Sequence, residues 1–263
     1  KTVQEAAKCL IESSFAVYDV GDESISDTLK TANGEAYSFF KRQEEKDDNT
    51  KKIYQRIVNG NLYGYNEPSS AKQIFRAFYS RSKEPKHKQP WPTPEMETAS
   101  AKLSNWIHRL LCDCWQEINR QQQVQSANDR ASTAKRRKTL YYDAAGFSDC
   151  PLDYYFYHCK DLAATNCSEH IDRGILIGVC LSPTTPGLEI LSEKGRWTCP
   201  EEQLLSANSR RRMVCILAGK QLKEHSKPSI QPCVHRVRNE LGGERLSISY
   251  EIRLAEKNSR YLP

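Results

Sequence analysis

His170, Ile171 and Asp172 put an imidazole and a carboxylate two residues apart, just before the β-rich run Ile175–Leu181. Side chains at i and i+2 of a strand share one face, so the two groups can converge on one ion. His235, in the run Cys233-Val-His-Arg-Val237, offers a third donor far along the chain. Two imidazoles and one carboxylate on one face of an octahedron leave three positions open, an arrangement suited to a ferrous ion that must also bind reactants. The His-x-Asp pair has plainer uses too, as a hydrogen-bonded strand histidine and a turn aspartate.

Arg245 and Ser247 repeat the i, i+2 logic with different chemistry. A fork-shaped guanidinium and a hydroxyl on one face form a receptor for a carboxylate. Tyr155 and Tyr157 share a face in the same way. The remaining histidines, His87, His108, His158 and His225, are expected to be structural. Tyr63, Tyr65, Arg76, Phe78 and Tyr79 are candidates for the mouth of a pocket.

The elements that must position these groups divide the chain. Its first half reads as helix. Val3, Ala6, Ala7, Leu10 and Ile11 recur at helical spacing, and Ser24 or Ser26 could cap a helix striped by Ile25, Leu29, Ala32, Ala36 and Phe40. Pro92 and Pro94 precede a long helix bearing Met96, Ala99, Leu103, Trp106, Leu110 and Cys114. The short run Phe15–Val20 predicts an early strand, and the turn-rich 59–68 predicts a surface loop. Residues 121–137 are polar and aperiodic, which predicts a flexible insertion. From Thr139 onward, apolar runs broken by Pro, Gly and Asn predict strands at Tyr154–His158, Ile175–Leu181, Leu188–Leu191, Met213–Leu217 and Leu246–Ile252, as in a β-barrel or sandwich. In the last of these Leu246, Ile248, Tyr250 and Ile252 alternate with polar residues, giving one core face and one polar face.

Composition narrows the class. The chain has 263 residues and a net charge of +6, enough to bury a real core but only mildly basic. Its longest apolar run, Ile175–Leu181, falls far short of the roughly 20 residues of a membrane-spanning helix. The Lys/Arg clusters at 83–88, 135–138 and 210–212 read as solvated loops, so a nucleic-acid partner is not expected. Ten cysteines show neither metal nor disulfide spacing, pointing to reduced thiols and a cytoplasmic location. The chain opens on Lys1 rather than Met, which leaves room for a processed targeting segment.

Taken together the motifs resemble the 2-oxoglutarate/Fe(II)-dependent dioxygenases of the plant-type, isopenicillin-N-synthase-like branch. The matching pieces are His-x-Asp at 170–172, His-Arg-Val at 235–237, Arg-Leu-Ser at 245–247, and Asp153-Tyr154-Tyr155 in place of the family's Asn-Tyr-Tyr. Phe15-Ala-Val-Tyr18 resembles the family's first strand, Phe39-Phe40 with Glu44-Glu45-Lys46 its helix end, and Gly64-Tyr65 its Gly-Tyr loop. Gly187–Ile190 followed by Trp197 fits the hairpin after the first ligand strand. Lys220 after Gly219, and Ser226-Lys227-Pro228, depart from the family's loop residues.

The resemblance implies an α+β, mainly β fold: a distorted double-stranded β-helix, or jelly roll, with an N-terminal helical layer. Residues 1–120 would form that layer and lend the early strand, 121–138 the insertion and 139–263 the oxygenase core, as one structural unit. It implies Fe(II) on His170, Asp172 and His235, with no catalytic group beyond the metal centre. It implies 2-oxoglutarate on Arg245 and Ser247, bonded also by Tyr155 or Tyr157, with O2 as co-reactant. The activity implied is hydroxylation, desaturation or oxidative cyclisation of a small molecule, carboxylated or amino-acid-derived, with release of succinate and CO2 by a monomer. Tyr63, Tyr65, Arg76 and Phe78 are the substrate-facing candidates. Halogenation is not expected, because Asp172 fills the place that halide needs. A cosubstrate-free oxidase of the isopenicillin N synthase type and a nucleic-acid-directed oxygenase or binding protein are the alternatives.

Overall fold

In the computed structural model, residues 1–44, 46, 48–58, 61–77, 90–128, 150–158, 165–182, 184–202, 212–226, 229–239 and 243–254 are described. Phe78, Tyr79, His87 and most of the basic clusters lie outside them.

Local chemistry sets the helix starts. Thr2 and Glu5 exchange side-chain and backbone hydrogen bonds in a capping box that opens α1 (Val3–Ser13). The chain runs on into β1 (Phe15–Asp19). The next helix, α2 (Glu23–Glu44), is capped by Asp22, whose carboxylate accepts from the amides of Ser24 and Ile25. Ser24 and Ser26 are not the cap; an aspartate just upstream does the same work. A short α3 (Asp48–Lys52) leads to β2 (Gln55–Val58), β3 (Asn61–Ser69) and β4 (Lys72–Ala77). Thr93 then caps α4 (Pro94–Asn128) through the Met96 amide, with Pro94 at the first helical position, where no N–H is needed.

Two sequence expectations change here. The described part of the stretch 59–68 is strand rather than loop: from Asn61 it forms β3, paired with β2 and β4. Gly64 makes this feasible. Its φ is +81°, and a Cβ there would lie 1.6 Å from the Tyr54 carbonyl oxygen. The polar run from Gln121 begins as the last turns of α4, continuing to Asn128. Its glutamines favour helix over flexible chain. Residues 129–138 fall outside the described positions.

The second half supplies β5 (Leu152–Tyr157), β6 (Cys167–His170), β7 (Leu176–Cys180), β8 (Leu188–Leu191), β9 (Trp197–Thr198), β10 (Met213–Ala218), the short α5 (Lys220–His225), β11 (His235–Val237) and β12 (Arg245–Ile252). The larger sheet runs β1-β10-β7-β12-β5-β4-β3-β2, and the smaller β6-β11-β8-β9. The observed pairings are antiparallel. The expected early strand β1 joins the large sheet through β10.

The large sheet is two-faced. Leu152, Tyr154, Phe156, Ile248, Tyr250 and Ile252 pack with Phe39, Phe40, Leu103, Ile107 and Leu111 of the helical layer in the main core. Each such fully buried side chain contributes about 1.5–3 kcal/mol. His108 belongs to this layer, its Nδ1 3.1 Å from the Tyr250 hydroxyl, so it is a satisfied core histidine. On the other side Ile177, Val179, Leu181, Leu188, Ile190, Cys215, Leu217 and Cys233 form a second cluster that joins the two sheets. The nine described cysteines are free thiols.

Candidate metal centre

β6 and β11 lie side by side with His170 directly opposite His235. The pairing brings the two rings to 4.3 Å between centroids. Asp172 is not within the strand. It follows β6 by two residues, and the turn aims its carboxylate back at the histidines. Oδ1 lies 3.7 Å from His170 Nε2 and Oδ2 3.4 Å from His235 Nε2. The three donors fall within 4.8 Å of one another.

The donor set fits a divalent cation. Both imidazoles hold Nδ1 against a backbone carbonyl, His170 on Ser168 at 2.8 Å and His235 on Cys233 at 3.2 Å. A proton on Nδ1 leaves the Nε2 lone pair for a metal, the usual way an outer contact fixes a ligand tautomer. The three donors already lie close enough for small side-chain movements to bring them onto one divalent ion. Hydrogen bonding to Cys167 raises His170 to about 9 against the opposing effect of burial, and the Ser168 carbonyl helps, so a metal ion binding at Nε2 would displace the proton carried there at neutral pH. Burial pushes Asp172 upward, yet the hydrogen bond and charge of His235, with His170 and Arg253, hold it below the usual carboxylate range. The carboxylate is therefore charged at neutral pH, ready to meet a cation.

The loop bearing Asp172 is braced by residues whose role was not legible in the sequence. The amides of Gly219, Lys220 and Gln221 donate to the carbonyls of Ile175, Asp172 and Gly174. Glu251 accepts from the Gly174 amide and pairs with Arg253. Lys220 thus contributes through its backbone, which makes its side-chain identity unimportant to the brace.

Arg245 and Ser247 do share a face, opposite Tyr157 and Tyr155 respectively. Arg245, however, already has a partner. Its Nη1 and Nη2 lie 3.1 and 3.0 Å from the two oxygens of Glu201, and Nη1 also donates to the Thr185 carbonyl. Both residues are buried, at 3% and 0% side-chain exposure. Removing one member of such a pair costs about 3–5 kcal/mol. Glu201 escaped the sequence reading because nothing in Trp-Thr-Cys-Pro-Glu-Glu distinguishes it from a surface acid. The Tyr155 hydroxyl donates to Asp153 at 2.9 Å. That of Tyr157 has no hydrogen bond among the described residues, and Tyr157 lies near enough to Cys167, Arg245 and Asp172 to feel all three. Of the two, Tyr157 is the better placed to meet a ligand.

Among the substrate-facing candidates, Arg76 is held by Asp153 through two hydrogen bonds of 2.7 and 2.8 Å. Tyr63 is buried and close enough to Arg76 to favour its charged form. Tyr65 turns to the helical layer, edge-on to Phe39 at 5.7 Å, and is a core residue. Phe78 lies outside the described residues.

The architecture is a double-stranded β-helix, with the helices packed on one face of the larger sheet. Solved structures of similar fold include three that bear on the site. A full-length Neurospora crassa protein, crystallised in complex with α-ketoglutarate, superposes with a TM-score of 0.69 at 18% identity, over 96% of this chain and 78% of that one. A candidate 2OG-Fe(II) oxygenase family protein from Caulobacter crescentus gives 0.66 at 20% identity, over 96% and 81%. The dioxygenase for auxin oxidation 1 from Arabidopsis thaliana, in complex with 2-oxoglutarate, gives 0.63 at 13%, over 97% and 88%. No family model and no curated protein matches the chain.

Proposed function

We propose that this protein is a non-haem Fe(II), 2-oxoglutarate-dependent oxygenase acting on a small molecule. The observation that carries the reading is the convergence of His170, Asp172 and His235, with both imidazoles oriented through Nδ1 so that Nε2 faces the carboxylate. Fe(II) held there would supply O2 activation coupled to oxidation of 2-oxoglutarate to succinate and CO2, the oxidising power being directed at a substrate C–H bond.

The chain's own residues bind and orient. Arg245 and Ser247 would receive the far carboxylate of the cosubstrate, and Tyr157 would donate to it from the facing strand. The Arg76–Asp153 and Arg253–Glu251 pairs give the site a polar side suited to an anionic or amino-acid-derived substrate. The auxin-oxidising neighbour, and the Neurospora crassa protein also crystallised with thymine, support a small-molecule substrate. Hydroxylation, desaturation and cyclisation share the hydrogen abstraction that this site would direct.

A second reading, a cosubstrate-free oxidase, draws on the prior engagement of Arg245 by Glu201. Succinate release from 2-oxoglutarate with Fe(II) and air separates the two. Metal-dependent succinate formation, lost in Arg245→Ala, is expected. Oxygen uptake that ignores 2-oxoglutarate would favour the second reading.

A further inference from the structure

Resting on that reading, we infer that Glu201 is a positioning residue that selects which edge of Arg245 meets the cosubstrate. A guanidinium offers two carboxylate-shaped forks, an end-on pair on Nη1 and Nη2 and a side-on pair on Nε and Nη2. Glu201 takes the end-on fork, and the Thr185 carbonyl takes the other Nη1 hydrogen. Nη1 is then fully engaged and Nη2 has one hydrogen left. Nε has no partner although it is fully buried and the residue is only 3% exposed. The two remaining N–H groups are parallel neighbours on one edge of the plane, the geometry that a carboxylate takes with both oxygens. A buried donor left unpaired is costly, so the edge is built for a ligand.

Glu201 is not a stand-in that the ligand displaces. Besides Arg245 it accepts from the amides of Ser182 at 2.7 Å, Gly187 at 2.7 Å and Leu188 at 3.0 Å, and it is fully buried. Five donors fix one carboxylate, and that carboxylate fixes the guanidinium plane. Gly187 keeps the neighbourhood open, because a Cβ there would start 3.2 Å from Arg245 Cδ and Nε. The end of the cosubstrate site is therefore set from behind, by a residue that never touches the ligand.

Two measurements test this. A crystal structure of the wild-type protein with Mn(II) and 2-oxoglutarate should show the far carboxylate on Nε and Nη2 with the Glu201–Arg245 fork intact. A carboxylate on Nη1 and Nη2, with Glu201 swung away, overturns the inference. In solution, Glu201→Asp should let the guanidinium withdraw, shifting the ratio of kcat/KM for 2-oxoadipate over 2-oxoglutarate upward by about tenfold or more. The KM for 2-oxoglutarate should rise while kcat at saturation and Mn(II) affinity stay within about threefold. An unchanged ratio in a folded variant, or equal losses for both cosubstrates together with metal affinity, leaves Glu201 a scaffold residue only. If the wild-type protein itself neither binds nor turns over 2-oxoglutarate, the functional reading fails first and this inference falls with it. If the variant does not fold, the wild-type complex decides alone.

Discussion

His170 and His235 face the same carboxylate from different environments, and that difference can be measured. His235 is 5% exposed while the His170 side chain is 37% exposed. Replacing either by alanine should remove one of three metal donors and abolish iron binding and turnover. His235→Ala should also lose about 1–3 kcal/mol of stability from its buried position, whereas His170→Ala should melt near the wild-type temperature. Metal titration with thermal melts of the metal-free proteins checks both halves, and near-normal activity in either variant would refute the ligand assignment. At this scale the candidate metal residues were legible from their types, a His-x-Asp pair and a distant imidazole, although a turn after β6 rather than a shared strand face brings Asp172 to the histidines. The partner of Arg245 was not legible. Glu201 and Arg245 are 44 residues apart and meet only through the fold.

Pairing of elements turns those letters into a site. The register that sets His235 opposite His170 fixes two donors, and the first turn of α5 fixes the third by holding the Asp172 carbonyl. Gly219 is the tight point, since a Cβ there would fall 2.1 Å from the Gly174 carbonyl oxygen. Gly219→Ala should push the two segments apart, costing about 1–3 kcal/mol by overpacking and weakening metal affinity about tenfold or more with all three ligands intact. A variant that binds metal like the wild type would show that the brace does not position Asp172. Strands with clear apolar runs were readable in the sequence, Leu188–Leu191 to the residue. β3 was hidden because its Asn, Gly and Pro content signals turns, and only pairing on both sides makes it a strand. The cap of α2 was misplaced by two residues or more because Asp22, Ser24 and Ser26 are all competent caps.

As a whole the molecule separates stability from chemistry. The helices and the outer face of the large sheet form the main core, while the candidate metal donors gather between β6, β11 and the loop after β6. A helix-rich start and a strand-rich end were readable from the change of periodicity near Thr139. The layered architecture came only with the family resemblance, and β1 to β4 of the first half belong to the large sheet. The sheet order could not be read, because strand order depends on long-range pairings that no local pattern specifies. A cation that binds only the folded chain should stabilise it by about 2.7 kcal/mol at a hundredfold excess over Kd. Mn(II) should therefore raise the melting temperature of the wild-type protein by several degrees and leave His235→Ala unmoved. An equal rise in both would place the bound cation elsewhere. The central claim is met most directly by an anaerobic titration with Fe(II) and 2-oxoglutarate, followed in the visible range. One iron per chain, with a weak charge-transfer band that needs both components and vanishes in the His170→Ala and His235→Ala variants, is the predicted result. No band in the wild-type protein, or the same band in those variants, would contradict it.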